Sequence, residues 1–124
     1  MTVTDRVVLL AEPDRASSML YQQILRAAFE VVAAADKDTV LHILHTRPVE
    51  AVVLDPMIFV TYRWEQLAAI CRVCAERGIP LVICSTLDER RRGIELGATV
   101  YLVKPTLPAT LLDTLQQVLG IRRI

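Results

Sequence analysis

The chain alternates between short runs of consecutive apolar residues and longer segments of mixed polarity. The prominent runs are Val7–Ala11, Ala51–Leu54, residues 81–84 and Val100–Val103, and a weaker fifth run is Glu30–Ala34. Because the apolarity within each run is continuous and does not alternate, the pattern predicts strands that are covered on both faces. Such strands are typical of a parallel sheet.

Two of the intervening segments carry an apolar stripe at helical spacing. In residues 14–28 the stripe consists of Leu20, Ile24 and Leu25. In residues 107–119 it consists of Leu111, Leu115 and Val118, with Leu112 and Leu119 beside them. Each of these helices can therefore lay an apolar face on the predicted sheet.

Capping signals mark three further helices. Asp36 is a suitable N-cap for a helix that runs to about Thr46. Arg63–Arg77 has the pattern of a longer helix and is followed by a glycine, which commonly ends helices. Residues 88–96 form a short candidate helix that Gly97 would end.

Strands and helices therefore alternate along the whole chain, which predicts an α/β fold. Right-handed crossovers would wind the elements into a doubly wound, five-stranded parallel sheet of the (βα)5 type, with helices on both faces. The 124 residues suit a single hydrophobic core, so we expect one domain over residues 1–124. In such sheets the functional site lies at the carboxyl ends of the strands, near the point where strand order reverses.

Composition argues against a membrane protein and against direct nucleic-acid binding. No stretch approaches the roughly 20 apolar residues that a membrane-spanning helix needs. The 14 basic residues balance the 14 acidic ones, which removes the positive field that nucleic-acid binders use. The first residues do not resemble a signal peptide, and the three cysteines have no disulfide-framework spacing. We therefore expect a cytoplasmic protein.

Polar residues follow the predicted strands at the edge where the site should lie. They are Glu12 and Asp14 after the first strand, Asp55 after the third, Ser85 and Thr86 after the fourth, and Lys104 after the fifth. Carboxylate oxygens are ligands that Mg²⁺ prefers, and an ionised aspartate can act as a nucleophile toward phosphorus. A lysine, a metal ion and a hydroxyl would each stabilise the charge on phosphoryl oxygens. The set suits phosphoryl transfer to a carboxylate.

Four stretches of the chain resemble receiver domains of response regulators. GATVYLVKP is similar to the last-strand signature of these domains, and VEAVVLDPM is similar to the strand that carries the phosphoryl acceptor. PLVICST is similar to the strand that ends in the switch hydroxyl, and LLAEPD is similar to the acidic opening. The resemblance covers nearly the whole chain in the right order. It implies a flavodoxin-like fold and a phosphorylation-controlled signalling switch in a two-component pathway, not an enzyme.

The resemblance also implies a role for each matching residue. Asp55 would accept the phosphoryl group from a histidine kinase or phosphotransfer protein, and Lys104 would contact the phosphate. Ser85 and Tyr101 would change position on activation, the first as the switch hydroxyl and the second as the switch aromatic. Mg²⁺ would be held by Glu12, Asp14, Asp55 and the backbone of Met57.

Two structural features are implied as well. The Lys104–Pro105 peptide bond would be cis, as X-Pro bonds in such turns can be. Activation would alter the surface of the fourth helix, fifth strand and fifth helix, where a partner or a second copy of the chain would dock as a homodimer. A charge change at Asp55 would be detected at that surface.

The acidic opening departs from the receiver pattern. Receiver domains usually open with two adjacent acids, the second of which binds the metal, whereas this chain has Ala11-Glu12-Pro13-Asp14. If the first helix sets the register, Pro13 replaces the direct ligand and Asp14 would have to substitute. If the later FEVVAAAD segment sets it, Glu12 is the ligand and Ala11 is the gap. Either register predicts a weakened metal site.

Further departures lie after Asp55 and after Ser85. Phe59 and Arg63 stand where the family usually has proline and glycine, and the loop over residues 56–62 is unusually apolar. The segment between Ser85 and the glycine of the last-strand signature is shorter than usual, which predicts a shortened or displaced fourth helix. These departures raise a second hypothesis beside phosphotransfer, namely a degenerate receiver that acts as a phosphorylation-independent interaction module.

Several candidate residues also have plainer structural interpretations. Asp14 is a good N-cap, Ser85 and Thr86 could cap the next helix, and Tyr101 could be a core aromatic. The charged run over residues 89–92, one glutamate followed by three arginines, is most simply a solvated helix face, although it could dock an acidic partner. An enzyme that used the same crevice would need a phosphate-binding glycine loop, and the segment directly after the first strand contains no glycine.

A zinc site is the last alternative that the sequence offers. Cys71 and Cys74 form a CxxC pair, and His42 and His45 form an HxxH pair. Both cysteines fall on the apolar stripe that includes Leu67, however, and their mid-helix position does not suit redox chemistry. We therefore expect them to pack in the core.

Overall fold

The computed structural model describes residues 6–121, in which five strands alternate with five α-helices. The strands are β1 (Val7–Ala11), β2 (Glu30–Ala34), β3 (Ala51–Leu54), β4 (Leu81–Ser85) and β5 (Val100–Val103). The helices are α1 (Arg15–Leu25), α2 (Lys37–Thr46), α3 (Arg63–Arg77), α4 (Arg90–Leu96) and α5 (Pro108–Val118). A short 3₁₀ helix over Pro56–Ile58, which the sequence did not predict, follows β3.

All strand pairs are parallel, and the strand order across the sheet is β2-β1-β3-β4-β5. The chain runs from β1 to β2 at one edge of the sheet and returns to β3 on the other side of β1. It then continues through β4 to β5 at the opposite edge. Strand order therefore reverses between β1 and β3, the position at which doubly wound sheets bind their ligands. The predicted fold class is confirmed.

The sheet has a hydrophobic core on each face. Side chains alternate along β1, so that Val7 and Leu9 pack in a cluster with α2 and α3, whereas Val8 and Leu10 pack in a cluster with α1 and α5. This two-sided covering explains why the central strands are continuously apolar. Strand β2 pairs only with β1 and is partly exposed, which explains its weaker apolar run.

The buried face of α1 differs from the predicted stripe. Ser18, Tyr21 and Leu25 are buried, whereas the side chain of Leu20 is 54% exposed. The prediction for Leu20 is wrong because the helix turns a different stripe, centred on Tyr21, toward the sheet. Tyr21 can take a buried position because its ring is apolar and its hydroxyl is hydrogen-bonded.

Helix α4 has seven residues and begins at Arg90, two residues later than predicted. Its basic residues are exposed, and Arg91 pairs with Glu95 at 3.1 Å, as a solvated helix face requires. The guanidinium of Arg92 lies 4.4 Å from the ring centroid of Trp64 in α3, which ties the two helices together. Within residues 6–121 the longest apolar helix falls short of what a bilayer crossing requires.

Candidate functional site

The carboxyl ends of β1 and β3 bring two acidic residues side by side. Ala11 is in register with Leu54, so Glu12 and Asp55 are the next residues along the two neighbouring strands. The backbone amide of Asp55 donates to the carbonyl of Ala11 at 2.9 Å and extends the parallel ladder by one bond. Both residues are buried, with relative exposures of 3% for Glu12 and 5% for Asp55.

Lys104, which follows β5, reaches across to both carboxylates. Its Nζ lies 2.5 Å from Oε1 of Glu12 and 2.9 Å from Oδ2 of Asp55. The backbone of Lys104 is held in place because its amide donates to the carbonyl of Ser85 at 2.8 Å. The Lys104–Pro105 peptide bond is cis, as predicted. We call Glu12, Asp55 and Lys104 the carboxylate–lysine cluster.

The remaining oxygens of the two carboxylates accept bonds from backbone amides. The amide of Asp14 donates to Oε2 of Glu12 at 3.0 Å, and the amide of Met57 donates to Oδ1 of Asp55 at 2.9 Å. All four oxygens therefore have a donor, which is what buried carboxylates need in order to keep their charge.

Two opposing effects act on the pKa of Lys104. Burial lowers the pKa, because it disfavours the charged ammonium, whereas the hydrogen bonds to Glu12 and Asp55 raise it. The carboxylates prevail, and the pKa of Lys104 lies above its ordinary value. The cluster therefore contains a permanent cation between two acids at neutral pH.

Ser85 and Tyr101 are linked through the backbone of Leu87. Ser85 is fully buried, and its Oγ accepts from the amide of Leu87 at 3.1 Å. The hydroxyl of Tyr101, a residue that is 7% exposed, donates to the carbonyl of Leu87 at 2.5 Å. Burial raises the pKa of Tyr101, which keeps its hydroxyl a donor. The two predicted switch residues thus lie on either side of one residue of the β4–α4 loop.

Asp14 is not part of the carboxylate–lysine cluster. Its carboxylate accepts from the amide of Ser17 at 2.9 Å and from the hydroxyl of Ser17 at 2.6 Å, so it forms the N-cap of α1. These bonds hold the pKa of Asp14 below its ordinary value. Pro13 is exposed, and Met57 contacts the cluster through its backbone amide.

Tyr21 is a site-lining residue that the sequence did not predict. Its hydroxyl donates to the carbonyl of Thr106 at 3.1 Å and lies 3.8 Å from Sγ of Cys84. The Nζ of Lys104 lies 6.0 Å from the centroid of its ring. Burial raises the pKa of Tyr21 to about 12. Tyr21 therefore packs under the lysine and holds the turn that follows it.

The donor chemistry of the cluster suits a hard cation. Magnesium is usually held by one or two carboxylates together with water, and Glu12 and Asp55 are oxygen donors of this kind. Among residues 6–121 there is no group of three or more histidine, cysteine or acidic side chains arranged around a metal-sized space. A magnesium site here would therefore have few protein ligands.

The alternative zinc site does not form in the described part of the chain. Cys71 and Cys74 are buried in the core between the sheet and α3, whereas His42 and His45 are exposed on α2. The prediction that both cysteines pack in the core is confirmed.

The chain is similar in sequence to bacterial transcriptional regulatory proteins. No protein-family model matches the chain. The chain is 30% identical over 116 residues to the probable transcriptional regulatory protein SilR of Salmonella typhimurium, an alignment that covers 90% of this chain and 50% of SilR. It is 26% identical over 117 residues to the transcriptional regulatory protein CusR of Escherichia coli K12, covering 92% and 51%. The chain spans about half the length of these curated relatives.

Solved structures give a second comparison. The chemotaxis response regulator CheY4 of Vibrio cholerae is 27% identical and superposes with a TM-score of 0.79 over 93% of this chain and 99% of that one. A response regulator from Thermotoga maritima is 18% identical and has a TM-score of 0.79 over 97% and 99%. The second likeness concerns the fold alone, whereas the first extends to sequence.

Proposed function

This chain belongs to the receiver domains of response regulators, and from that membership we propose that it is a phosphorylation-controlled switch whose phosphoryl acceptor is Asp55. Receiver domains are signalling switches and not typically enzymes. The observation that carries the proposal is the contact between Nζ of Lys104 and Oδ2 of Asp55 at 2.9 Å, at the point where strand order reverses.

The carboxylate–lysine cluster contains the groups that phosphoryl transfer to a carboxylate requires. Asp55 attacks phosphorus through a carboxylate oxygen, and the phosphoryl group leaves its donor as the new P–O bond forms. Lys104, already a cation within bonding distance, then contacts the phosphoryl oxygens and offsets their charge. Glu12 keeps Lys104 at the site, because its Oε1 binds the same ammonium.

Magnesium is the metal typical of this family. Glu12 and Asp55 are the residues of this chain that would hold it, together with the predicted backbone carbonyl of Met57. A contribution from Asp14 would require its carboxylate to leave Ser17. When bound, the ion would neutralise charge on the phosphoryl oxygens.

The readout of phosphorylation would pass through Leu87. Ser85 now binds the amide of Leu87, and Tyr101 binds its carbonyl. If the Ser85 hydroxyl turned to a phosphoryl oxygen on Asp55, the loop would lose one of its bonds and Tyr101 could shift with it. We propose that the resulting change alters the surface formed by α4, β5 and α5.

The proposed partners of this chain follow from its place among response-regulator receiver domains. Response regulators receive their phosphoryl group within pathways that contain histidine kinases, so we propose a histidine kinase or a phosphotransfer protein as the donor. We propose further that a second copy docks on the α4, β5 and α5 surface to form a homodimer, that this domain does not contact nucleic acid, and that it works in the cytoplasm. The balanced charge supports the statement about nucleic acid.

The test is incubation of the full chain with acetyl phosphate and Mg²⁺, followed by intact mass spectrometry. The wild type and Asp88→Asn should gain the mass of one phosphoryl group, and Asp55→Asn should not. Asp88→Asn is the matched control, because it removes an exposed carboxylate that pairs with Arg90. Labelling of all three proteins, or of none of them, would contradict the proposal.

A degenerate receiver is the second candidate function. It is supported by the exposed Pro13 at the acidic opening and by the complete bonding of the two buried carboxylates, which can serve as a structural ion pair. In that case beryllofluoride, a phosphoryl mimic, should leave the thermal midpoint of the chain unchanged at millimolar Mg²⁺. A midpoint that rises in the wild type and not in Asp55→Asn would exclude this candidate.

A further inference from the structure

Gly93 lies in the middle of α4 with ordinary helical geometry. It is not among the glycines with a positive φ, so backbone conformation does not explain its presence. Glycine is, apart from proline, the least favourable residue in a helix interior. Gly93 is also the only residue of α4 that is buried. Something other than local structure therefore requires a residue without a side chain.

The ring of Tyr101 occupies the space that a side chain at position 93 would fill. A Cβ placed on Gly93 would overlap Cδ2 of Tyr101 and would lie 2.8 Å from Cε2 of the same ring. It would also lie 3.3 Å from Cδ1 of Ile83 in β4. A Cβ at this position would therefore force the ring of Tyr101 to shift, while the fully buried Ile83 restricts movement on the strand side.

Tyr101 is thus held at both ends. Its ring packs against the backbone of Gly93, and its hydroxyl donates to the carbonyl of Leu87 at 2.5 Å. Leaving this position would open a cavity beneath α4 and break the hydroxyl bond, and both changes cost free energy.

We propose that Gly93 is a socket that fixes the resting position of Tyr101 and couples it to α4. The chain keeps the aromatic buried without a phosphoryl group on Asp55, and the ring and the helix change position together. This inference rests on the proposed function in one respect, namely that Tyr101 is the residue through which the switch is read.

The first test is a double-mutant cycle on the full chain. Gly93→Ala should lower the thermal midpoint in the wild-type background, because the methyl group collides with the ring. In a Tyr101→Ala background the same substitution should raise the midpoint, because the ring is gone and alanine favours the helix. If Gly93→Ala fails to fold, folding of the double variant would show that removing the Tyr101 ring removes the collision.

Gly97→Ala is the matched control, in which a glycine just after the same helix is replaced. Gly97 has a φ of 118°, so alanine is strained there whatever occupies position 101. Gly97→Ala should lower the thermal midpoint by a similar amount in the wild-type and Tyr101→Ala backgrounds. An effect of Gly93→Ala with the same sign and size in both backgrounds would overturn the proposal.

The second test measures the position of the ring directly. Photochemically induced nuclear polarisation detects tyrosines that are accessible to a dye, and the 77% exposed Tyr62 provides an internal standard in every sample. Tyr101 should be silent in the wild type and detected in Gly93→Ala. A variant that folds and keeps Tyr101 silent would show that the ring does not depend on this socket.

Both tests are made without a phosphoryl donor, so their results are independent of whether Asp55 is phosphorylated. A chain that takes up no phosphoryl group could still show an effect of Gly93→Ala on the thermal midpoint that changes sign between the two backgrounds. A chain that is phosphorylated normally could fail to show it. The failure of the socket and the failure of the proposed function are therefore distinguishable.

Discussion

Lys104 offsets the charge of two carboxylates that have almost no contact with solvent. The exposed fraction of its own side chain is 12%, and those of Glu12 and Asp55 are 3% and 6%. Removing one partner of a buried ion pair is costly because the remaining charge is left without compensation. The cluster is therefore a point at which one substitution affects both stability and the proposed chemistry.

Lys104→Met should reduce the free energy of unfolding by about 3–5 kcal/mol at pH 7. Urea unfolding at pH 7 measures this loss. Lys37→Met, at the only other lysine of the chain, is the control and should have a small effect. Equal losses for Lys104→Met and Lys37→Met would contradict this account of the cluster.

The cluster itself could be predicted from the sequence, because each member directly follows an apolar run and parallel strands end at one edge. Its bonding could not be predicted. Whether Asp14 joined Glu12 or capped α1 depended on the direction of one side chain, and the Ser17 amide and hydroxyl decided it. Tyr21 was missed because its bonded partner, the carbonyl of Thr106, is far away in sequence.

At the scale of elements, α1 begins at a cap that lies next to the site. Asp14 accepts from Ser17 with its side chain and donates to Glu12 with its backbone amide. The cap therefore joins the first turn of α1 to the carboxylate–lysine cluster. Its two interpretations, N-cap and metal ligand, predict different results for one substitution.

Asp14→Ser should preserve the stability of the fold, because serine is as good an N-cap as aspartate, whereas Asp14→Ala should lower it. If Asp14 only caps the helix, Asp14→Ser should also leave any rise of the thermal midpoint with Mg²⁺ unchanged. Thermal unfolding with and without Mg²⁺ tests both statements. A rise in the wild type that disappears in Asp14→Ser would show that the carboxylate binds the metal.

Most element bounds could be predicted, because caps and apolar runs are local signals. Two features could not be predicted, namely the end of β4 and the reason for a glycine within α4. Ser85 is the last residue of β4 and not the first residue of a loop, since it pairs in register with Val103. The reason for Gly93 could not be found locally, since the ring that needs the space belongs to β5.

At the scale of the whole molecule, several buried groups keep their protons more tightly in the fold than in the unfolded chain. Burial raises the pKa of Tyr21 from 10.0 to about 12 and that of Cys74 from 9.0 to about 11. The pKa of Lys104 is also raised. A raised pKa contributes stability below the unfolded value, and that stability is lost as pH rises toward the folded value.

The free energy of unfolding should therefore fall continuously between pH 9 and pH 12. Tyr21→Phe should lose about 1 kcal/mol at pH 8 with its hydrogen bond to Thr106, and its loss of stability above pH 10 should be less steep. Urea midpoints measured across this range test both. A wild type and a variant with parallel curves would mean that Tyr21 does not contribute to alkaline unfolding.

The pairing of Arg92 with Trp64 has a practical consequence. Trp64 is the only tryptophan of the chain, and a guanidinium group from α4 lies 4.4 Å from its ring. Any displacement of that helix would change the surroundings of the indole and hence its emission. The protein thus carries an intrinsic fluorophore beside α4, the helix that the proposed switch would displace, so rapid-mixing experiments could time the proposed response without an attached dye.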